Sequence, residues 1–314
     1  MTIKPINWNE IPDQTDKIVW DRLTANFWLP EKVPVANDID TWRKMTPVEQ
    51  ELVRKVFATL TYYDTVQGVD GAPSLLRVAD TPHAEAVFTN IAFMESVHAK
   101  SYSTIFSTLC STDEINELFK WAEDDDLLNR HIGRLTEAYA ESGIRAFVTS
   151  VFLESMLFYT GFYTPLRFAS QGRLTNTADI IRLILRDEGV HGYYIGYKAQ
   201  KMKEDVGLTD EEYTNLVYDV CQKFYEVELK RVEKMYDDIG WTEDVKNFLR
   251  YNANKALANL GVASMFSPAQ TEIPAYILAA LDPGTGETHD FFSGSGASYV
   301  IGKAEETEDE DWMW

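Results

Sequence analysis

Only two cysteines, Cys110 and Cys221, occur in the 314 residues, and they form no CxxC pair. So small a set excludes a disulfide framework and disfavours a thiolate zinc site. Both lie in helix-patterned runs and read as buried free thiols, which points to a reducing compartment. Cations are also scarce: 29 Lys and Arg stand against 50 Asp and Glu, a net charge of -21. A surface this negative repels a phosphate backbone, so nucleic acid is excluded as a partner. Substrate phosphates would need metals or another chain to supply positive charge. No window reaches the ~18 charge-free apolar residues of a membrane span, and residues 1–10 lack the basic-then-apolar order of a signal peptide. The expected location is cytoplasmic, with no membrane partner. Strand-period alternation is almost missing as well.

What is present is a helix pattern. With 45% hydrophobic and 13% aromatic residues the chain can build a large core. From Pro47 onward apolar residues recur at three- and four-residue spacing. Thr46-Pro47, Thr81-Pro82, Ser111-Thr112-Asp113-Glu114 and Thr209-Asp210-Glu211-Glu212 mark helix starts. The pattern predicts long helices over 47–70, 82–110, 145–171, 176–206, 209–239 and 242–262, with shorter ones near 112–126 and 127–141. Long helices with short connections form an antiparallel bundle. The expected organisation is an N-terminal arm over 1–45, an all-α bundle over 46–267, and a flexible tail over 268–314. In that tail, residues 305–311 hold six acids in seven positions.

Two halves of the chain repeat one device. Asp64 precedes Glu95-x-x-His98 by 31 residues, and Glu154 precedes Glu188-x-x-His191 by 34. Residues three apart share a helix face, so each ExxH pair can aim an oxygen and a nitrogen at one metal ion. One acid from each of two helices plus ExxH from two others is the ligand set of ferritin-like two-metal bundles, here with Asp64 where the pattern has a glutamate. Charge gives an independent reason. Four carboxylates inside a bundle are costly unpaired, and two divalent cations would cancel them. Carboxylate and imidazole ligands suit iron or manganese. Asp80-Thr81-Pro82-His83 only imitates the motif; it reads as a helix cap beside a surface histidine. His131 and His289 lack acids at helical spacing and read as ordinary.

Three segments carry a resemblance. Asn90–Tyr102 (NIAFMESVHAKSY), Arg186–Gly192 (RDEGVHG) and Phe291–Tyr299 (FFSGSGASY) resemble the small, beta subunit of class Ib ribonucleotide reductases, and the likeness spans essentially the whole chain. It implies that Asp64, Glu95, His98, Glu154, Glu188 and His191 bind a dinuclear centre. That centre would be two manganese ions, the favoured pair, or two iron ions. It implies a stable tyrosyl radical on Tyr102, with Phe158, Phe162 and Ile184 lining its pocket. Trp28 and Asp187 resemble the family's relay residues, and Tyr299 would hand the radical to the large subunit, which reduces ribonucleoside diphosphates. The implied partners are that large (alpha) subunit, a flavodoxin-like activating protein, and a second copy in a homodimer. Trp312 and Trp314 would dock the acidic tail on the large subunit. Spacing agrees for Tyr102, which follows His98 by four residues and Glu95 by seven on one helix face. Two other readings remain at this point: a different ferritin-like oxidase such as a desaturase, and a metal-storage protein. Neither requires a tyrosine at position 102 together with Tyr299 and a tryptophan-bearing tail.

Overall fold

The computed structural model describes residues 5–281, and all of its long elements are helices. Helices α1 (Gln14–Ala25) and α2 (Ile39–Lys44) precede α3 (Pro47–Val66), which runs through a π turn, Gln67–Gly71, into α4 (Ala72–Leu76). Then follow α5 (Pro82–Leu109), α6 (Thr112–Asp124), α7 (Asp126–Glu141) and α8 (Gly143–Phe152). A second π turn, Leu153–Leu157, joins α8 to α9 (Phe158–Ser170). Helices α10 (Thr175–Asp205), α11 (Asp210–Tyr236), α12 (Thr242–Asn259) and α13 (Ala275–Leu281) complete the described chain. Among the described residues no helix is long and apolar enough to cross a membrane.

The starts are where side chains satisfy the free N–H groups. Thr46 with Glu49, Ser111 with Glu114 and Thr209 with Glu212 each form a reciprocal capping box, and Thr81 caps α5. Helix α3 packs on α5 and α9, and α10 packs on α8 and on the Leu153–Leu157 turn, which brings together the segments that carry acids and ExxH pairs. Close approach depends on missing side chains. A Cβ on Gly196 of α10 would sit 2.3 Å from the Asn259 carbonyl oxygen of α12, and one on Gly192 would sit 2.3 Å from Ser155 Oγ.

Several expectations need correction. The run expected as one helix over 145–171 is interrupted by the π turn at Leu153–Leu157, and α3 ends in another instead of continuing smoothly to residue 70. Helical structure does not stop at Ser267: α13 follows, with Ile277 fully buried. Its seven residues are too few to show a period. The N-terminal segment is bound tightly. Lys198 Nζ lies 2.7 Å from Asp16, 3.0 Å from Asp13 and 2.8 Å from Asp80, tying α1 to α10. His83 is not at the surface; it is buried, with Nε2 3.1 Å from the Asn7 carbonyl and its ring edge-on to Trp8. His131 is fully buried between Glu228, 3.3 Å away, and the stacked ring of Phe224. Cys221 is a buried free thiol as expected, whereas Cys110 is only half-buried, at the end of α5.

The packing makes a differential expectation. Gly196→Ala should destabilise the bundle by about 1–3 kcal/mol, because backbone must move to admit the methyl group. Gly133→Ala on α7, where a Cβ meets nothing within 4 Å, should be neutral or stabilising by up to about 1 kcal/mol. Denaturant midpoints of the two variants check this, and equal midpoints would contradict the α10–α12 contact.

Candidate metal centre

Six ionisable side chains converge in the middle of the bundle, each no more than 1% exposed. Asp64 comes from α3, Glu95 and His98 from α5, Glu154 from the second π turn, and Glu188 and His191 from α10. The extra residue of a π turn re-aims the side chains around it, and such turns gather at functional sites. His98 Nδ1 lies 3.0 Å from Glu188 Oε1, 3.4 Å from Glu95 Oε2 and 3.7 Å from Asp64 Oδ1. His191 Nδ1 lies 3.0 Å from Glu95 Oε1, 3.5 Å from Glu188 Oε2 and 3.5 Å from Glu154 Oε2. Glu95 and Glu188 therefore turn one oxygen to each imidazole. Two overlapping ligand sets result, Asp64–Glu95–His98–Glu188 and Glu95–Glu154–Glu188–His191, with the ligand atoms of each within 4.8 Å of one another. Each set could hold a metal ion, and Glu95 and Glu188 belong to both.

The donors fit metal ions better than they fit one another. Both oxygens of Asp64, Glu95 and Glu188, one of Glu154, and Nδ1 of both histidines make no hydrogen bond. Buried polar atoms are seldom left so. Burial pushes Asp64 well above the usual carboxylate range, and nearby Glu95 and Glu188 add to it. Burial, with Glu188 and Glu95, does the same to Glu154. Burial opposes charge on His98 and His191, yet the surrounding carboxylates raise both. Burial also opposes the charge on Glu188, but the Glu154 carboxyl and the two imidazoles beside it hold it low. Protons thus do part of the neutralising that cations would do fully, and metal binding at such ligands releases protons.

The supporting contacts orient these ligands. His98 Nε2 lies 3.2 Å from Asp187 Oδ2, which also accepts from Trp28 Nε1 at 2.7 Å. The Trp28 ring stacks on His98 with centroids 6.0 Å apart. Asp187 therefore holds the Nε2–H tautomer and leaves the Nδ1 lone pair for a metal. Glu154 accepts from Gln67 Nε2 at 2.5 Å, and Gln67 Oε1 accepts from the Tyr139 hydroxyl at 2.7 Å. Sequence reasoning missed Gln67 and Tyr139, although Gln67 stands three residues after Asp64 on the same helical path.

Tyr102 is fully buried, one turn beyond His98 on α5. Burial, then the charges of Asp64, Glu188 and Glu95, raise its pKa, so the phenol stays protonated. The ring against it is Phe57, 5.6 Å away, a wall the sequence reading did not include. Phe158, Phe162 and Ile184 are fully buried; the two phenylalanines stack at 6.2 Å, and Phe158 meets Tyr63 edge-on. Tyr299, Trp312, Trp314, His289 and the acidic run over 305–311 lie outside the described residues.

Residues 5–274 match the family model described as ribonucleotide reductase, small chain. This chain belongs to the ribonucleotide reductase small-chain family. It is 54% identical over 99% of its length, and 98% of the relative's, to ribonucleoside-diphosphate reductase 2 subunit beta of Escherichia coli (strain K12). It is 55% identical over 99% of its length, and 96% of the relative's, to ribonucleoside-diphosphate reductase subunit beta of Mycobacterium leprae (strain TN). Among solved structures, dimanganese(II)-NrdF of Streptococcus sanguinis superposes with a TM-score of 0.85 at 45% identity, covering 89% of this chain and all of that one. This ribonucleotide reductase small chain is thus the beta subunit of an oxidoreductase with a ferritin-like fold, and the family implies a large-subunit partner and a dimer.

The shared position of Glu188 sets the next expectation. Glu188→Ala removes a ligand from both sets and should hold neither ion stoichiometrically, while His191→Ala should retain at most one. Both should keep their helical circular dichroism, because the core does not depend on one ligand. Metal analysis after desalting reads the outcome; two tightly held ions in either variant would remove that residue from the ligand set.

Proposed function

We propose that Asp64, Glu95, His98, Glu154, Glu188 and His191 hold a dimetal centre that oxidises Tyr102, whose radical then initiates nucleotide reduction in the large subunit. The observation that carries this reading is the pair of overlapping ligand sets with a fully buried phenol one turn along the same helix. Two ions held there would, once raised in oxidation state by an oxygen-derived oxidant, supply a one-electron acceptor at that position. Tyr102 would give that acceptor one electron and lose its phenolic proton, leaving a neutral radical. Neutrality matters, because the surrounding low-dielectric core disfavours charge. Phe57 covers one face of the ring, and Phe158, Phe162 and Ile184 contribute dry, unreactive bulk.

Export of the oxidising equivalent follows the hydrogen-bonded line from His98 through Asp187 to Trp28, a buried ring of the N-terminal segment. Tyr299 would receive it there and pass it across to the large subunit. The acidic tail, through Trp312 and Trp314, would dock on that subunit, and the division into arm, bundle and tail belongs to the same reading. Manganese is favoured over iron because the 45%-identical structural relative is a dimanganese(II) protein. The reading also includes a flavodoxin-like activating partner, a homodimer and a cytoplasmic location, each resting on the class Ib resemblance.

Tyr102→Phe tests the central step. Phenylalanine preserves ring volume and helix packing, so metal content and thermal midpoint should match the parent protein. The tyrosyl signal in electron paramagnetic resonance and turnover with the large subunit should both vanish. Nucleotide reduction by that variant would place the radical elsewhere.

A further inference from the structure

The two ligand sets share Glu95 and Glu188 and differ in one acid and one imidazole each: Asp64 with His98, and Glu154 with His191. These two pairs are held in opposite ways. On one side the imidazole is tied from behind, by Asp187 at 3.2 Å from His98 Nε2, while both Asp64 oxygens make no hydrogen bond. On the other side the imidazole is untied: among the described residues, nothing hydrogen-bonds to the buried Nε2 of His191. There the carboxylate is the tied member. Glu154 Oε1 accepts from Gln67 Nε2 at 2.5 Å, and Oε2 is left without a partner. The tie is built in depth. A side-chain amide can sit either way round, and with its oxygen toward Glu154 it would repel the carboxylate. Gln67 Oε1 accepts from the Tyr139 hydroxyl of α7 at 2.7 Å, and that hydroxyl accepts from Ser150 Oγ of α8 at 3.1 Å. A phenol has one proton to give, and here it goes to Gln67, so the amide turns its N–H toward Glu154. All four residues are no more than 1% exposed, so the chain of donors runs wholly inside the bundle and ends on a carboxylate. Space is left for it as well: a Cβ on Gly71 would stand 2.0 Å from Gln67 Oε1 and 3.0 Å from Tyr139 Cζ. An apolar side chain could fill the same volume without desolvating any polar group, so what the chain ends on matters.

We propose that Gln67 is a positioning residue for the ion beside His191: it holds Glu154 by Oε1 and so presents Oε2 alone as the ligand atom. It is the counterpart of Asp187 across the cluster, acting on a carboxylate where Asp187 acts on an imidazole. The inference rests on the dimetal reading above. Tyr139 and Ser150 serve it at one remove, by fixing which way the amide faces. The π turn Gln67–Gly71 has a purpose in this account, since it brings the amide to Glu154 and ends in the residue whose missing side chain leaves room for it. Because His191 has no such support behind its ring, Gln67 is the outer contact on which that half of the cluster depends. The two ions therefore depend on different residues, and one can be loosened without the other.

The test is manganese(II) binding by the full chain in the absence of oxygen, with free manganese(II) read by electron paramagnetic resonance. Anomalous diffraction from crystals soaked at limiting manganese(II) places each ion, and neither readout involves turnover. In Gln67→Leu the affinity of the ion beside His191 should fall about 10–100-fold, so its peak should weaken relative to the one beside His98. Tyr139→Phe keeps the ring and Gln67 but frees the amide to turn, and should weaken the same ion by a smaller factor. In the Gln67→Leu background Tyr139→Phe should add nothing, because it acts only through Gln67. A general loosening of the bundle would not choose between the two ions. Equal weakening of both would make Gln67 a merely structural residue, and unchanged binding of both would show that Glu154 does not need it; either result overturns the proposal. If Gln67→Leu does not fold, the near-isosteric Tyr139→Phe decides alone, and the absence of a selective loss there overturns it. A parent chain that binds no pair of ions would remove the dimetal reading along with this one, whereas a parent with two ions and unaffected variants would remove only this one.

Discussion

Four carboxylates buried within one bundle constrain everything else in this molecule. Asp64, Glu95, Glu154 and Glu188 are each no more than 1% exposed, and uncompensated charge in such a place costs several kcal/mol per group. Two imidazoles and shared protons soften that cost, and two divalent cations would remove it. The surrounding core is apolar and buried, and it holds the cluster together. The two π turns serve the same end: one carries Glu154 and the other carries the Gln67 that bonds to it.

The same constraint organises the contacts behind His98. A ligand histidine has two nitrogens, and the one turned from the metal site needs an acceptor. Asp187 is that acceptor for His98, and its second bond extends the connection to Trp28 of the N-terminal segment. One carboxylate thereby fixes a tautomer, anchors an aromatic ring of the N-terminal segment and joins that ring to the cluster.

Much of this was legible in the residues, for physical reasons that differ from element to element. The capping boxes at Thr46, Ser111 and Thr209 and the three-and-four spacing of apolar side chains marked most long helices within a few residues. The ExxH pairs were legible because helical periodicity puts positions three apart on one face, and the structure brings all six expected ligands together. The π turns were not, since one additional residue in a helix leaves no compositional trace in Leu153–Leu157. Helix α13 was too short to establish a period. The Gln67–Tyr139 contact joins residues 72 positions apart, and no local pattern encodes such a meeting. Phe57 escaped for a similar reason: a phenylalanine on an apolar helix face looks the same whether it packs on leucine or on Tyr102.

Two ions held between the two overlapping ligand sets would be observed directly by anomalous X-ray diffraction at the manganese and iron edges. Crystals of protein purified with its native metal should show two peaks about 3.5–4 Å apart. One should lie beside His98 Nδ1 and the other beside His191 Nδ1, with Glu95 and Glu188 each touching both. A single peak, or ions bound only at surface acids while the six buried side chains hydrogen-bond among themselves, would contradict that arrangement.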